Sequence, residues 1–168
     1  DEANGGFWQS VHTQNLILKV KEDYDGAVPS GNSVAALALL RLGKITDRKE
    51  YTDMAEKTLL LFSENMTNGP SAVPYLLQAL DFLVHEPRRA VITGDPKSGG
   101  ARDLIAAAHA AYQPNKVVLG VTGPVEEFAK TLPEEKQSAV YLCTGSACQP
   151  PTSDAFKLRE MMASKTLP

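Results

Sequence analysis

Apolar residues gather almost without interruption between Val34 and Leu42, where Val34, Leu37, Leu39, Leu40 and Leu42 are separated mainly by alanine. A run that is apolar nearly all round predicts a helix buried on more than one side. Ser30 stands as its cap, and Gly43 is placed to end it in the left-handed conformation that glycine adopts freely. Behind Asp47 and Glu50, spaced like a capping box, Tyr51, Met54, Ala55, Thr58 and Phe62 recur at helical intervals. Lys49, Asp53 and Lys57, four apart, mark the solvated face of that second helix. Ser71 opens a third stripe, with Pro74 tolerated in its first turn and Val73, Leu76, Leu77, Leu80, Leu83 and Val84 on one side. Ahead of the helices, Phe7-Trp8 and Leu16 to Val20 are β-formers separated by polar His12 to Asn15, which predicts a short hairpin over 5–20.

After Pro87 the period changes. Ala90 to Thr93, Lys116 to Leu119 and Ala139 to Leu142 are rich in β-formers, and Ala101 to Tyr112 and Pro124 to Lys130 lie between them as helices. This alternation predicts three parallel strands joined by right-handed crossovers, closed by a last helix capped by Ser153 or Asp154. The expected fold class is mixed α+β. A β-hairpin and three helices occupy 1–86, and a small parallel βαβαβα unit occupies 87–168.

Composition narrows the function classes. Hydrophobic residues at 43% and charged residues at 22% lie near the globular averages of about 45–50% and about 25%, which excludes a disordered or fibrous chain. Lys and Arg number 17 against 20 Asp and Glu, so no field attracts a phosphate backbone and nucleic acid is not an expected partner. The longest unbroken apolar run, Val34 to Leu40, falls far short of the roughly 20 residues of a membrane span. The chain opens Asp1-Glu2-Ala3-Asn4-Gly5-Gly6 without a secretory signal pattern, and the expected compartment is the cytoplasm.

Three stretches carry candidate chemistry. Gly94-Asp95-Pro96-Lys97-Ser98-Gly99-Gly100 lies between a predicted strand and a predicted helix, but Gly100 and Ala101 stand where a phosphate loop needs Lys and Ser or Thr. What remains is a helix N-terminus at which Gly94, Gly99 and Gly100 are candidates to hold an anion through backbone N–H groups. His12, His85 and His109 show no ligand spacing, so neither a metal nor another cofactor is expected. The loop from Asp25 to Ser33 places a carboxylate, hydroxyls and an amide at the start of the buried helix. Either these groups form an elaborate cap, or they bind a sugar-like molecule with Asp25 as general acid or base and Ser30 and Asn32 as hydroxyl binders. Cys143 and Cys148 follow the third strand, and in a parallel sheet they share the carboxyl edge with Gly94. Their spacing permits a disulfide but not a C-x-x-C redox motif, and a reducing compartment favours two free thiols.

The run DGAVPSGNSVAALALLRL, preceded by GGFW and followed by AVYLCTGSACQPP, resembles the C-terminal part of the thioredoxin-domain-containing spermatogenesis-associated protein family and its bacterial counterparts. The resemblance covers essentially the whole chain. It implies an N-terminal thioredoxin-like domain in members of that family, followed by an (α/α) toroid similar to six-hairpin glycosidases and sugar epimerases. This chain would hold about three of the toroid's helices and has neither the thioredoxin-like domain nor its C-x-x-C. Two readings follow. In one, 1–86 closes a carbohydrate-processing toroid, with Asp25 or the neighbouring Glu22 or Asp23 as one of two catalytic carboxylates. In the other, the chain is a non-catalytic binding or scaffolding module packed on the rest of the parent polypeptide or on a second copy. Both expect the helix at 30–42 to be covered by something beyond the other two helices of 1–86.

Overall fold

The apolar run does form a helix, α1 (Gly31–Thr46), in the computed structural model, which describes residues 1–11 and 17–164. It runs past Gly43 instead of stopping there. Gly43 is required by a close approach: a Cβ at this position would lie 2.6 Å from Thr52 Oγ1 on the next helix. The left-handed residue that ends α1 is Asp47, at φ 56°. Asp47 therefore cannot serve as the expected cap of α2 (Lys49–Leu61), whose N-cap is Arg48, without a side-chain cap bond. Glu50 pairs with the Arg48 guanidinium instead, and its own backbone N–H together with Arg48 holds its carboxyl below the usual range.

A short helix α3 (Ser63–Asn68), not apparent in the apolar pattern, follows a bend at Phe62, and a single 3-10 turn occupies Pro70–Ala72. Helix α4 (Pro74–Val84) starts at Pro74 rather than Ser71, because proline preorganises the first helical position and has no N–H to leave unpaired there. Ala36, Leu37 and Leu40 of α1, Ala55 and Leu59 of α2 and Leu76, Ala79 and Phe82 of α4 make the core of this helical unit, which comprises 1–44 and 48–84. The described residues between 5 and 20 form no strand; one bond, from Gln9 N–H to Val20 O at 2.9 Å, joins the two arms, and the expected polar link at 12–15, with Leu16 of the second arm, lies outside the described residues.

The second unit takes in 45–47 and the chain from His85 onward. Its elements are β1 (Arg88–Thr93), α5 (Gly99–Ala110), β2 (Lys116–Gly120), α6 (Glu127–Lys130), β3 (Ala139–Thr144), β4 (Ala147–Cys148) and α7 (Ala155–Ala163). The sheet order is β2-β1-β3-β4. Strands β1 and β2 are parallel, as expected, with Arg88 beside Lys116 and Ile92 beside Gly120. Strand β3 corrects the expectation of three parallel strands: it runs antiparallel to β1, pairing Arg89 with Cys143 and Thr93 with Ala139. The reason lies in the connections. Helix α5 carries the chain back along the sheet between β1 and β2, whereas the link to β3 has only the single turn of α6, so β3 enters at the edge where β2 left.

Ala90 and Ile92 of β1 and Val140 and Leu142 of β3 pack with Ala101, Leu104, Ala107 and Ala108 of α5 and Leu158 and Met162 of α7. Every residue of β1 is buried, as expected of a strand covered on both faces. The first residues of the parallel strands also close the helices. Arg88 donates to the carbonyls of Met161 (3.1 Å), Met162 (2.9 Å) and Ser164 at the end of α7, and Lys116 Nζ donates to those of Ala108 (2.6 Å), His109 (3.1 Å) and Ala111 (2.6 Å) at the end of α5. Cations at helix C-termini satisfy orphan carbonyls and oppose the negative end of the dipole.

Candidate functional site

The loop before α1 leads into a hydrogen-bonded knot. Asp25 Oδ1 accepts from Ser30 N–H (2.8 Å), while Oδ2 accepts from the N–H groups of Tyr75 (2.7 Å) and Leu76 (3.2 Å) in the first turn of α4. One carboxylate thus joins the positive ends of two helix dipoles. Ser30 Oγ accepts from Ser33 N–H (3.1 Å) and donates to Ser33 Oγ (2.9 Å), so Ser30 is the cap the sequence suggested.

Asn32 behaves like an inserted peptide group. Its Oδ1 accepts from Phe7 N–H (2.6 Å), and its Nδ2 donates to Phe7 O (3.0 Å) and Glu22 O (2.8 Å). The segment it holds reaches α2 through Gly5 and Gly6, both at positive φ, and a Cβ on Gly5 would stand 2.6 Å from Lys57 O. Trp8 is partly exposed, with Lys21 Nζ 4.5 Å and Lys19 Nζ 5.3 Å from its ring centroid. The structure therefore brings Asp25, Ser30 and Asn32 to one end of α1 and directs Asp25 and Asn32 at the main chain.

In the second unit, Gly94 at φ 90° lies against Ser138, where a Cβ would meet Oγ at 2.9 Å. Ser98 Oγ caps α5 by accepting from Ala101 N–H (3.1 Å) and lies 2.8 Å from Ser138 Oγ. Gly99 faces open space, and the nearest neighbour of a Cβ on Gly100 would be Ser138 Cβ at an ordinary 3.7 Å. A cavity of about 210 Å³ opens at the carboxyl ends of β1 and β2, lined by Ile92, Gly94, Ile105, His109, Val118 and Thr122 among others. Its wall is mainly apolar, with His109 as its ionisable side chain. A second hollow, about 300 Å³, lies in the helical unit beside Gly5, Gly6, Met54, Lys57 and Thr58. Asp25, Ser30 and Asn32 line neither.

Cys143 and Cys148 form a disulfide across the β3–β4 hairpin, where the sequence favoured free thiols. Directly opposed positions on two antiparallel strands supply the proximity that residue spacing alone left open. The reversal of β3 also moves them. They lie beside Arg89, near the start of β1, at the end of the sheet away from Gly94.

Arg89 is the residue the sequence reading missed. Buried at 6% exposure, it pairs through both carboxylate oxygens with Glu126, donates to Gly145 O in the hairpin turn and lies with its guanidinium 5.4 Å from the Phe128 ring. Its Nε has no partner among the described residues. On the same strand face, Tyr141 donates to Pro133 O (3.1 Å), and burial followed by the nearby Glu135 charge raises its pKa. The signal available in the sequence was Arg88-Arg89 leading directly into an apolar strand. Among the described residues no three His, Cys, Asp or Glu side chains gather as a metal site requires, and no helix is long and apolar enough to cross a membrane.

The chain is 34% identical to spermatogenesis-associated protein 20 of Homo sapiens over 172 aligned residues, covering 96% of this chain and 22% of the relative. The protein of the same name from Rattus norvegicus gives the same identity and coverage. An uncharacterised protein of Caenorhabditis elegans is 29% identical over 95% of the chain and 22% of its own length. The chain thus spans about a fifth of the curated relatives it matches. No family model and no solved structure matches it.

Proposed function

From its likeness to spermatogenesis-associated protein 20, we propose that the chain is a binding and scaffolding region of a larger protein and does not itself carry a sugar-processing centre. The observation that carries this reading is the state of Asp25. A general acid or base needs a carboxyl oxygen facing the reacting bond, with a second carboxylate roughly 5–9.5 Å away, whereas both Asp25 oxygens accept backbone N–H groups that fix α1 to α4.

A second observation supports docking. Of the large apolar side chains left exposed among the described residues, all but Tyr112 and Phe156 belong to the helical unit. Val34 and Leu42, at 44% and 43% exposure, flank Ala38 in an i, i+4, i+8 stripe along α1. Such a stripe suits burial against further helices, and the relatives possess several times the length of this chain. The same reading assigns α1, α2 and α4 to the edge of a helical toroid whose other helices lie elsewhere in the larger protein.

The second unit is read as the rigid partner of this arrangement. It holds a β-α-β unit followed by an antiparallel hairpin and a helix, with strand order β2-β1-β3-β4. A plan is not a site. The loop after β1 contains Asp95-Pro96-Lys97-Ser98 and holds no cysteine. Saturation-transfer NMR with a panel of mono- and oligosaccharides tests the functional reading. No transfer is expected; a saturable signal that Asp25→Asn removes while the fold is retained would establish the enzyme reading instead.

A further inference from the structure

We propose that Cys143–Cys148 is an exchangeable disulfide, a site for reaction with a low-molecular-weight dithiol or a dithiol protein, at the opposite end of the sheet from the α5 N-terminus. The two sulfurs are unequally placed. Cys143 lies in a central position of the sheet and is fully buried, whereas Cys148 is half-buried on β4, an edge strand of two residues. The turn between them, Gly145-Ser146, is short, and Ser146 and the first residue of β4, Ala147, are exposed, so an incoming thiolate has access along the edge to Cys148. Gln149 N–H donates to Leu142 O (2.9 Å), and past Pro150 and Pro151 the chain pairs with β3 again at Val140 and Thr152.

The surroundings favour a thiolate. Arg89 is the register partner of Cys143, so their side chains share one face of the sheet, and its guanidinium is tied to Gly145 O inside the loop that the disulfide closes. Glu126 pairs with this guanidinium through both oxygens and balances its formal charge, while Arg89 Nε remains a buried donor without a partner among the described residues. An unsatisfied N–H donor on the face shared with Cys143 favours a departing thiolate and so speeds cleavage of the bond it leaves.

The reaction runs in two exchanges. A thiolate of the dithiol attacks Sγ of Cys148; the S–S bond breaks, its electron pair leaves on Sγ of Cys143, and that sulfur takes up a proton. The second thiolate of the dithiol then attacks its own sulfur in the mixed disulfide and expels Cys148, which is protonated in turn. The protein disulfide is reduced to two thiols and the dithiol is oxidised to its disulfide, so atoms and electrons balance. The opened hairpin retains its strand pairing but loses the covalent closure around Gly145.

Differential alkylation and mass spectrometry of the 1–168 chain with dithiothreitol measure this directly. The proposal expects reduction in native buffer at a rate within about tenfold of that in denaturing guanidinium; slower reduction than that in the folded chain overturns it. Oxidised glutathione then locates the attacked sulfur. Cys143→Ser should form the mixed disulfide at Cys148 at least about tenfold faster than Cys148→Ser forms it at Cys143, and equal or reversed rates contradict the assignment. The wild-type comparison stands if either variant fails to fold.

Discussion

Replacing Asp25 by alanine removes the acceptor of three backbone donors at once, the N–H groups of Ser30, Tyr75 and Leu76. A buried N–H left without an acceptor costs about 1–3 kcal/mol. The positions are unequal: Ser30 and Leu76 are buried, whereas Tyr75 is half-buried and water can partly replace its acceptor. Loss of a carboxylate at two helix N-termini adds roughly 0.3–1 kcal/mol for each. The structure therefore predicts that Asp25→Ala destabilises by about 3–5 kcal/mol, whereas Asp25→Asn, which keeps one acceptor oxygen, costs about 1–2 kcal/mol. At about 2–4 °C per kcal/mol for a chain of this size, the alanine variant should melt at least roughly 6 °C lower by circular dichroism. A melting temperature for Asp25→Ala within about 2 °C of wild type would refute the account of Asp25 as the joint between α1 and α4.

Arg88→Met should lose about 2–3 kcal/mol in urea unfolding, because the carbonyls ending α7 lose a charged donor; a change below about 0.5 kcal/mol would show that water replaces it. Gly43→Ala should destabilise by about 1 kcal/mol where Thr52 is present, but stabilise by up to about 1 kcal/mol in a Thr52→Ala background, where helix propensity is no longer opposed by the 2.6 Å clash. A double-mutant cycle without that change of sign contradicts the close-packing role of Gly43. Gly99→Ala meets nothing within 4 Å and should stabilise α5 by up to about 1 kcal/mol, whereas Gly5→Ala, at positive φ and against Lys57 O, should destabilise the helical unit.

The helices were legible because burial of one face leaves a period in the sequence: Leu37 and Leu40 of α1, Ala55 and Thr58 of α2 and Leu76 of α4 all fall on predicted stripes and are buried. Their ends were less legible. Gly43 reads as a stop by itself, and only the position of Thr52 on the neighbouring helix reveals that it is a packing contact. The direction of β3 was hidden because strand composition carries no polarity; it follows from how far the 121–138 link travels. The groups at the start of α1 were visible as a cluster, but a carboxylate that caps and one that catalyses use the same residue. Tyr75 and Leu76, which decide between them, lie 50 residues away in sequence. Arg88 and Arg89 act across similarly long separations, and the Arg-Arg pair entering an apolar strand marks their position without naming their partners, whereas Lys116 reaches back to carbonyls five to eight residues before it.

The central claim, that the helical unit carries an apolar face meant for the rest of a larger protein, is tested most directly by light scattering of the 1–168 chain with a dye that binds apolar surface. The account predicts concentration-dependent association and dye binding, both reduced when Val34 and Leu42 on the exposed stripe of α1 are replaced by Glu. A monodisperse monomer that binds no dye, with Val34→Glu and Leu42→Glu changing nothing, would contradict it.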